Sequence, residues 1–133
     1  MQDSAEVSAK AFIAAINRQD VEGLCSLTTE NHRFVDSLGG ETAGRETMRA
    51  AWLAYFELVP DYTIHVEETY RDGPVVVMLG AVQGTLAQDG LVKPENFWTT
   101  PAAIRARVEN SQVAEWRVYA DNEPIREKMR EKK

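Results

Sequence analysis

Asn96-Phe-Trp-Thr-Thr-Pro-Ala-Ala-Ile-Arg-Ala-Arg-Val-Glu109 is the stretch from which the architecture can be read. Trp98, Thr100, Ala102, Ile104, Ala106 and Val108 carry no charge, while Arg105, Arg107 and Glu109 fall between or beside them. Successive side chains of a strand point to opposite faces, so this pattern describes a long strand with one dry side and one wet side. Outward from it, Asn110-Ser111 is a turn signal before a last strand from Gln112 to Asp121. On the other side, Asp89-Gly90 with Pro94 separates it from Val75 to Leu86, and Asp72-Gly73-Pro74 separates that run from Tyr62 to Tyr70. Four strands joined by short turns read as an antiparallel meander.

The first half is helical. Val7, Ala11, Phe12, Ala15 and Ile16 recur at helical spacing, and Asp20 is placed to cap a short second helix carrying Val21, Leu24 and Leu27 before Thr28, Thr29 and Asn31 break the pattern. His32 to Asp36 alternates as a strand with His32, Phe34 and Asp36 on one face. A third helix opens at Gly44, aligns Met48, Ala51, Trp52, Tyr55 and Val59, and stops at Pro60. The tail 122–133 is charged, with Pro124 at a helix start, and reads as a solvated end. The order predicts one α+β domain spanning 1–133, a cone-shaped curved antiparallel sheet wrapped around three helices. Such a sheet leaves a concave interior for a ligand.

The formal net charge of −6 argues against a nucleic-acid partner, because those binders need a basic stripe to displace counterions. No apolar run reaches the length of a membrane span, and the first ten residues lack the apolar core of a secretion signal. The single cysteine, Cys25, has no partner for an intramolecular disulfide, so a cytoplasmic setting is expected. Cys25, His32 and His65 are too scattered to suggest a metal, and no cofactor motif is present.

Four segments carry a family resemblance: Phe12-Ile-Ala-Ala-Ile-Asn-Arg-Gln-Asp20, Phe34-Val-Asp36-Ser-Leu-Gly39, Gly44-Arg-Glu46 and Ala114-Glu-Trp-Arg-Val-Tyr-Ala-Asp121. In this order the chain resembles the nuclear transport factor 2-like superfamily, with its cystatin-like cone. Within it the chain is most similar to the ketosteroid isomerase and SnoaL-like polyketide cyclase branch. The resemblance implies a buried ligand pocket and often a dimer. By the Asp-x-x-Gly pattern it gives Asp36 the role of general base, a role that desolvation in an apolar cone would strengthen. The same residue at a strand end also suits capping the Ser37 to Gly40 turn. The isomerases' two oxyanion donors, a helix Tyr and a late-strand protonated Asp, fall at Phe12 and Ile104, so steroid isomerisation is not expected. Epoxide hydrolysis would need a carboxylate where Val118 stands.

His32, on the same face as Asp36, can share acid and base duties with it or serve as a structural residue. Trp52, Tyr55, Trp98 and Trp116 suit either a pocket wall for a ring-shaped ligand or ordinary core. Phe12, Ile16, Phe34, Ile104 and Val118 complete the expected lining. Arg45, Arg49 and Arg117 can clamp an anion or pair with Glu46 and Glu115. Two readings stay open: an acid-base enzyme acting on a small, largely apolar molecule with Asp36 as base, or a noncatalytic ligand-binding or assembly domain. The outward sheet face, where Phe97, Ala103 and Tyr119 interrupt Arg105, Arg107, Glu115 and Arg117, suits a homodimer.

Overall fold

The computed structural model describes residues 4–131. Helix α1 (Ser4–Asn17) buries Ala5, Ala9, Phe12 and Ile16, spaced three or four apart, with Ile13 and Ala15 alongside. Val7, expected in that stripe, instead lies half exposed on the outer side. Asp20 caps α2 (Val21–Ser26), its Oδ1 accepting the Gly23 N–H at 2.9 Å. Strand β1 (Thr28–Val35) starts earlier than its alternation suggests and pairs with a three-residue strand β2 (Glu41–Ala43) that the sequence reading lacked. Helix α3 (Arg45–Leu58) follows and buries Met48, Trp52 and Phe56.

Strands β3 (Thr63–Asp72), β4 (Val75–Gln88), β5 (Leu91–Glu109) and β6 (Gln112–Ala120) form the antiparallel meander. The six-stranded sheet has the order β2-β1-β6-β5-β4-β3. One pairing departs from the expected all-antiparallel sheet: β1 lies parallel to β6, with Phe34 opposite Trp116 and Val35 opposite Arg117. The turn Asp89-Gly90 has φ of 54° and 76°, the left-handed pair that a two-residue hairpin needs to match strand twist. Irregularities at Val66/Glu68, Thr85/Ala87 and Arg107/Val108 bend the sheet into a cone. At the first of these the strands press together, and a Cβ on Gly80 would lie 1.8 Å from the His65 carbonyl oxygen.

Helix α1 plugs the narrow part of the cone. Phe12 packs on Trp116 with ring centroids 4.4 Å apart, and Ile16, Ile104 and Met78 are buried in the same core. Asn17, at the end of α1, presents its amide to β3 as a strand would: Nδ2 donates to the Ile64 carbonyl at 3.0 Å, and the Ile64 N–H donates to Oδ1 at 2.8 Å. The C-terminal segment is helical, α4 (Glu123–Glu131), and it is more than a solvated end. Ile125 is partly buried against the core, while Glu123 accepts from Arg126 and Arg130 on the polar side.

Candidate functional site

Above the α1 plug the cone stays open as a cavity of about 550 Å³. Its walls come from β1, β4, β5, β6 and α3, with α4 across the mouth through Ile125, Arg126 and Met129. Asn122, just before α4, donates to the Ser37 hydroxyl at 2.6 Å and ties the helix to the loop after β1.

A run of rings makes one side of this cavity. Phe34 meets Trp52 edge-on at 5.8 Å, Trp52 meets Tyr55 at 6.2 Å, and Tyr55 meets Tyr62 at 5.0 Å with the ring planes 85° apart. Tyr62 then approaches Trp98 at 6.3 Å. Tyr62 follows α3 in a tight turn that is clamped to β4. Asp61 accepts both the Thr85 N–H, at 2.6 Å, and the Thr85 hydroxyl, at 2.7 Å. The absence of a side chain at Gly84 admits Val59, whose Cγ1 would lie 2.2 Å from a Cβ there. Burial pushes the phenols of Tyr55 and Tyr62 far above their ordinary value, and for Tyr62 the neighbouring Tyr55 adds to this. Both hydroxyls therefore stay protonated, and neither has a hydrogen-bond partner among the described residues. The indole N–H of buried Trp98 also lacks one.

Of the side chains expected to line the pocket, Phe34, Trp52, Tyr55, Trp98 and Val118 lie on its wall. Phe12, Ile16, Ile104 and Trp116 do not; they form the plug and its surroundings, because α1 fills that end of the cone. The sequence reading missed Tyr62, Val82 and Thr100 on the wall and all three α4 residues at the mouth. Thr100 could have been found from the dry face of β5.

Asp36 sits on the rim. Its Oδ1 accepts the Leu38 N–H at 2.8 Å and the Gly40 N–H at 2.9 Å, and its backbone exchanges hydrogen bonds with Gly39 and Gly40 to close the turn. The carboxylate faces the cavity mouth and is exposed. Oδ2 is left without a hydrogen-bond partner among the described residues.

The pairing of His32 with Asp36 is not assembled. Four residues of strand separate them by roughly 13 Å. The alternation that puts His32, Phe34 and Asp36 on one face also puts them at three depths: core, wall and rim. His32 is fully buried beside Phe12, and its Nδ1 lies 2.8 Å from the Val113 carbonyl. A carbonyl only accepts, so Nδ1 carries the proton and Nε2 is a bare acceptor with no partner among the described residues. Burial holds the imidazole below its ordinary value, against weaker upward pulls from the Val113 bond and Glu115.

The anion clamp is not assembled either. Arg45 donates to the Thr28 carbonyl at 2.6 Å, Arg49 pairs with Glu22 and Glu46, and Arg117 lies over the Tyr119 ring at 5.4 Å. Glu115 is bound by Arg33 and Arg105 instead. His65 is exposed on β3. Among the described residues no three candidate metal ligands gather, and no helix is long and apolar enough to cross a membrane.

A curved sheet wrapped around helices, with an aromatic-walled cavity left open inside it, is the architecture of a cystatin-like cone. Comparisons with known proteins give the same fold. Residues 9–123 match the SnoaL-like domain, and the chain belongs to that family. A proposed SnoaL-like polyketide cyclase from Shewanella denitrificans superposes with a TM-score of 0.82 at 17% identity, covering 98% of this chain and 99% of that one. A ketosteroid isomerase-like fold from Catenulispora acidiphila, solved with trimethylamine, gives 0.77 at 18% identity over 89% and 88% of the two chains. A cystatin-fold protein from Novosphingobium aromaticivorans gives 0.74 at 23% identity over 89% and 98%. At these identities the likeness is one of fold. No curated protein matches the chain.

Proposed function

We propose that this chain binds a small, flat, largely apolar molecule in the cavity between α3, α4 and the sheet. The observation that carries the reading is the cavity itself, about 550 Å³ and walled by Phe34, Trp52, Tyr55, Tyr62 and Trp98. That volume is in the range that encloses a drug-sized ligand, and aromatic walls favour a ring system. The Catenulispora structure, which holds trimethylamine, supports a small-molecule role for this fold. Trp52 and Trp98 line the cavity while Trp116 is in the core, so ligand entry should be visible in tryptophan fluorescence. Titration with a panel of two- to four-ring compounds is expected to give saturable quenching and a raised melting temperature. A panel in which no compound does either refutes the reading.

A second reading is favoured by Asp36, whose unpartnered Oδ2 on the rim is free to take a proton from a bound ligand in an isomerisation, cyclisation or related step. Asp36→Asn tests it cleanly, because an amide oxygen still accepts the Leu38 and Gly40 N–H groups. Lost turnover at an unchanged melting temperature assigns the base; unchanged turnover means that Asp36 only closes the turn, as it would in a noncatalytic binding domain. The same proposal includes a homodimer across the outer sheet face, where Phe97 and Tyr119 are exposed. It also includes a cytoplasmic setting, supported by the single, free and buried Cys25.

A further inference from the structure

We propose that Tyr55 and Tyr62 act together as a two-donor site for a neutral carbonyl oxygen of the ligand, an inference that rests on the binding function above. The two rings come from different elements, the last turns of α3 and the entry to β3, and meet edge to face at 5.0 Å on the cavity wall. Apolar wall residues surround them, and neither hydroxyl finds a partner among the described residues. A hydroxyl set in an apolar wall without a partner is unfavourable, and two tyrosines in ring contact on one cavity wall mark a place where a ligand or water can answer them.

The chemistry of that answer can be narrowed. Each phenol is kept protonated by burial and so has a hydrogen to give. A carbonyl oxygen has two lone pairs and can accept from both, which a hydroxyl of the ligand meets less well. An anionic group is disfavoured at this depth. The charged residues lining the cavity, Asp36 and Arg126, belong to its rim and to the helix across its mouth, so no cation stands beside the two tyrosines to offset desolvation of an anion. The clamp of the preceding turn, Asp61 on Thr85, fixes where the Tyr62 ring enters the cavity and makes the donor pair a preformed feature. The site lies on α3 and the turn that leads into β3, away from Phe12 and Ile104, which are buried in the plug.

The test compares two probes of nearly the same flat shape, fluorenone and fluorene, which differ in a carbonyl against a methylene. The wild-type chain is expected to bind fluorenone about tenfold more tightly than fluorene, the size of effect that two net hydrogen bonds produce. The infrared carbonyl stretch of bound fluorenone should move to lower wavenumber. Tyr55→Phe and Tyr62→Phe should each remove several-fold of that preference and the double variant all of it, with fluorene affinity kept as the sign of an intact pocket. Because the hydroxyls have no partners in the folded chain, these variants should melt no lower than wild type. Equal affinity of the wild type for the two probes, or a preference that survives in the double variant, overturns the donor site and leaves the pocket standing. Failure of both probes to bind wild type overturns the pocket as well.

Discussion

Lowering the pH through the mildly acidic range should destabilise this protein through one residue, His32. The imidazole is fully buried, its Nδ1–H is given to the Val113 carbonyl, and its Nε2 faces no donor. Protonating Nε2 would place an uncompensated charge in the core, so the folded-state pKa lies below the ordinary 6.5. The unfolded chain then binds more protons than the folded one at any pH between the two values. Stability is therefore fully present above the unfolded value and is lost as pH falls below it towards the folded one. For one group the loss between about pH 7.5 and about pH 5.5 has a ceiling of about 1.4 kcal/mol, reached if the folded imidazole stays neutral throughout. Urea unfolding followed by tryptophan fluorescence across this range measures it. His32→Asn supplies the control, since its profile should flatten whatever its absolute stability. The ring resonances of His32 in the folded chain should titrate below the ordinary 6.5. A wild-type profile as flat as the variant's, or a His32 that titrates at or above 6.5, refutes the argument.

Asn17→Ala removes both hydrogen bonds to Ile64 and should lower stability by roughly 2 kcal/mol, with faster amide exchange concentrated in β3. Gly80→Ala sets a methyl against the backbone carbonyl of His65 and should cost roughly 3 kcal/mol in denaturant unfolding; an unchanged midpoint would show that β3 and β4 can part there at no cost. The dimer is decided by light scattering after size exclusion at low micromolar concentration. Twice the chain mass is expected for wild type, with a shift towards monomer when Phe97 and Tyr119 are both replaced by Ser; a monomeric wild type ends that proposal.

Much of the fold was legible because its longest strand, β5, obeys period two and short turn signals separate it from its neighbours. The dry face of β5 from Trp98 to Val108 is buried at almost every position. What escaped was either short, non-local or masked by charge. Strand β2 has only three residues, too few for any periodicity, and its existence depends on β1 beside it. The parallel pairing of β1 with β6 leaves no local signature, since its partners lie more than eighty residues apart. In α4, Ile125 and Met129 are a helical i, i+4 pair set among charges, and four acidic and basic neighbours hide two apolar side chains from a compositional reading. The site was half legible for a related reason. Alternation tells which face a residue is on but not its depth along a cone, so His32 and Trp116 were grouped with Phe34 and Trp98 although only the latter two reach the cavity. Tyr62, just after Pro60, looked like the first residue of a strand, and only the turn that Asp61 fixes turns it inward.

The seating of β1 against β6 also sets a timetable. Thr28 waits for Val113 and Phe34 for Trp116, so during synthesis the first strand has only β2 for company until more than eighty further residues have been made. At ordinary elongation rates that interval is on the order of ten seconds. Throughout it Phe12 lacks the indole against which it finally packs, and the plug of the cone cannot set. The cavity thus cannot be completed before β6: a product stopped short of that strand holds nearly all of the pocket's aromatic wall but lacks the Trp116 on which the plug packs. Ligand binding by this protein is accordingly a report that synthesis has passed β6, and forms cut before that strand should be found with chaperones or in aggregates instead of as weaker binders.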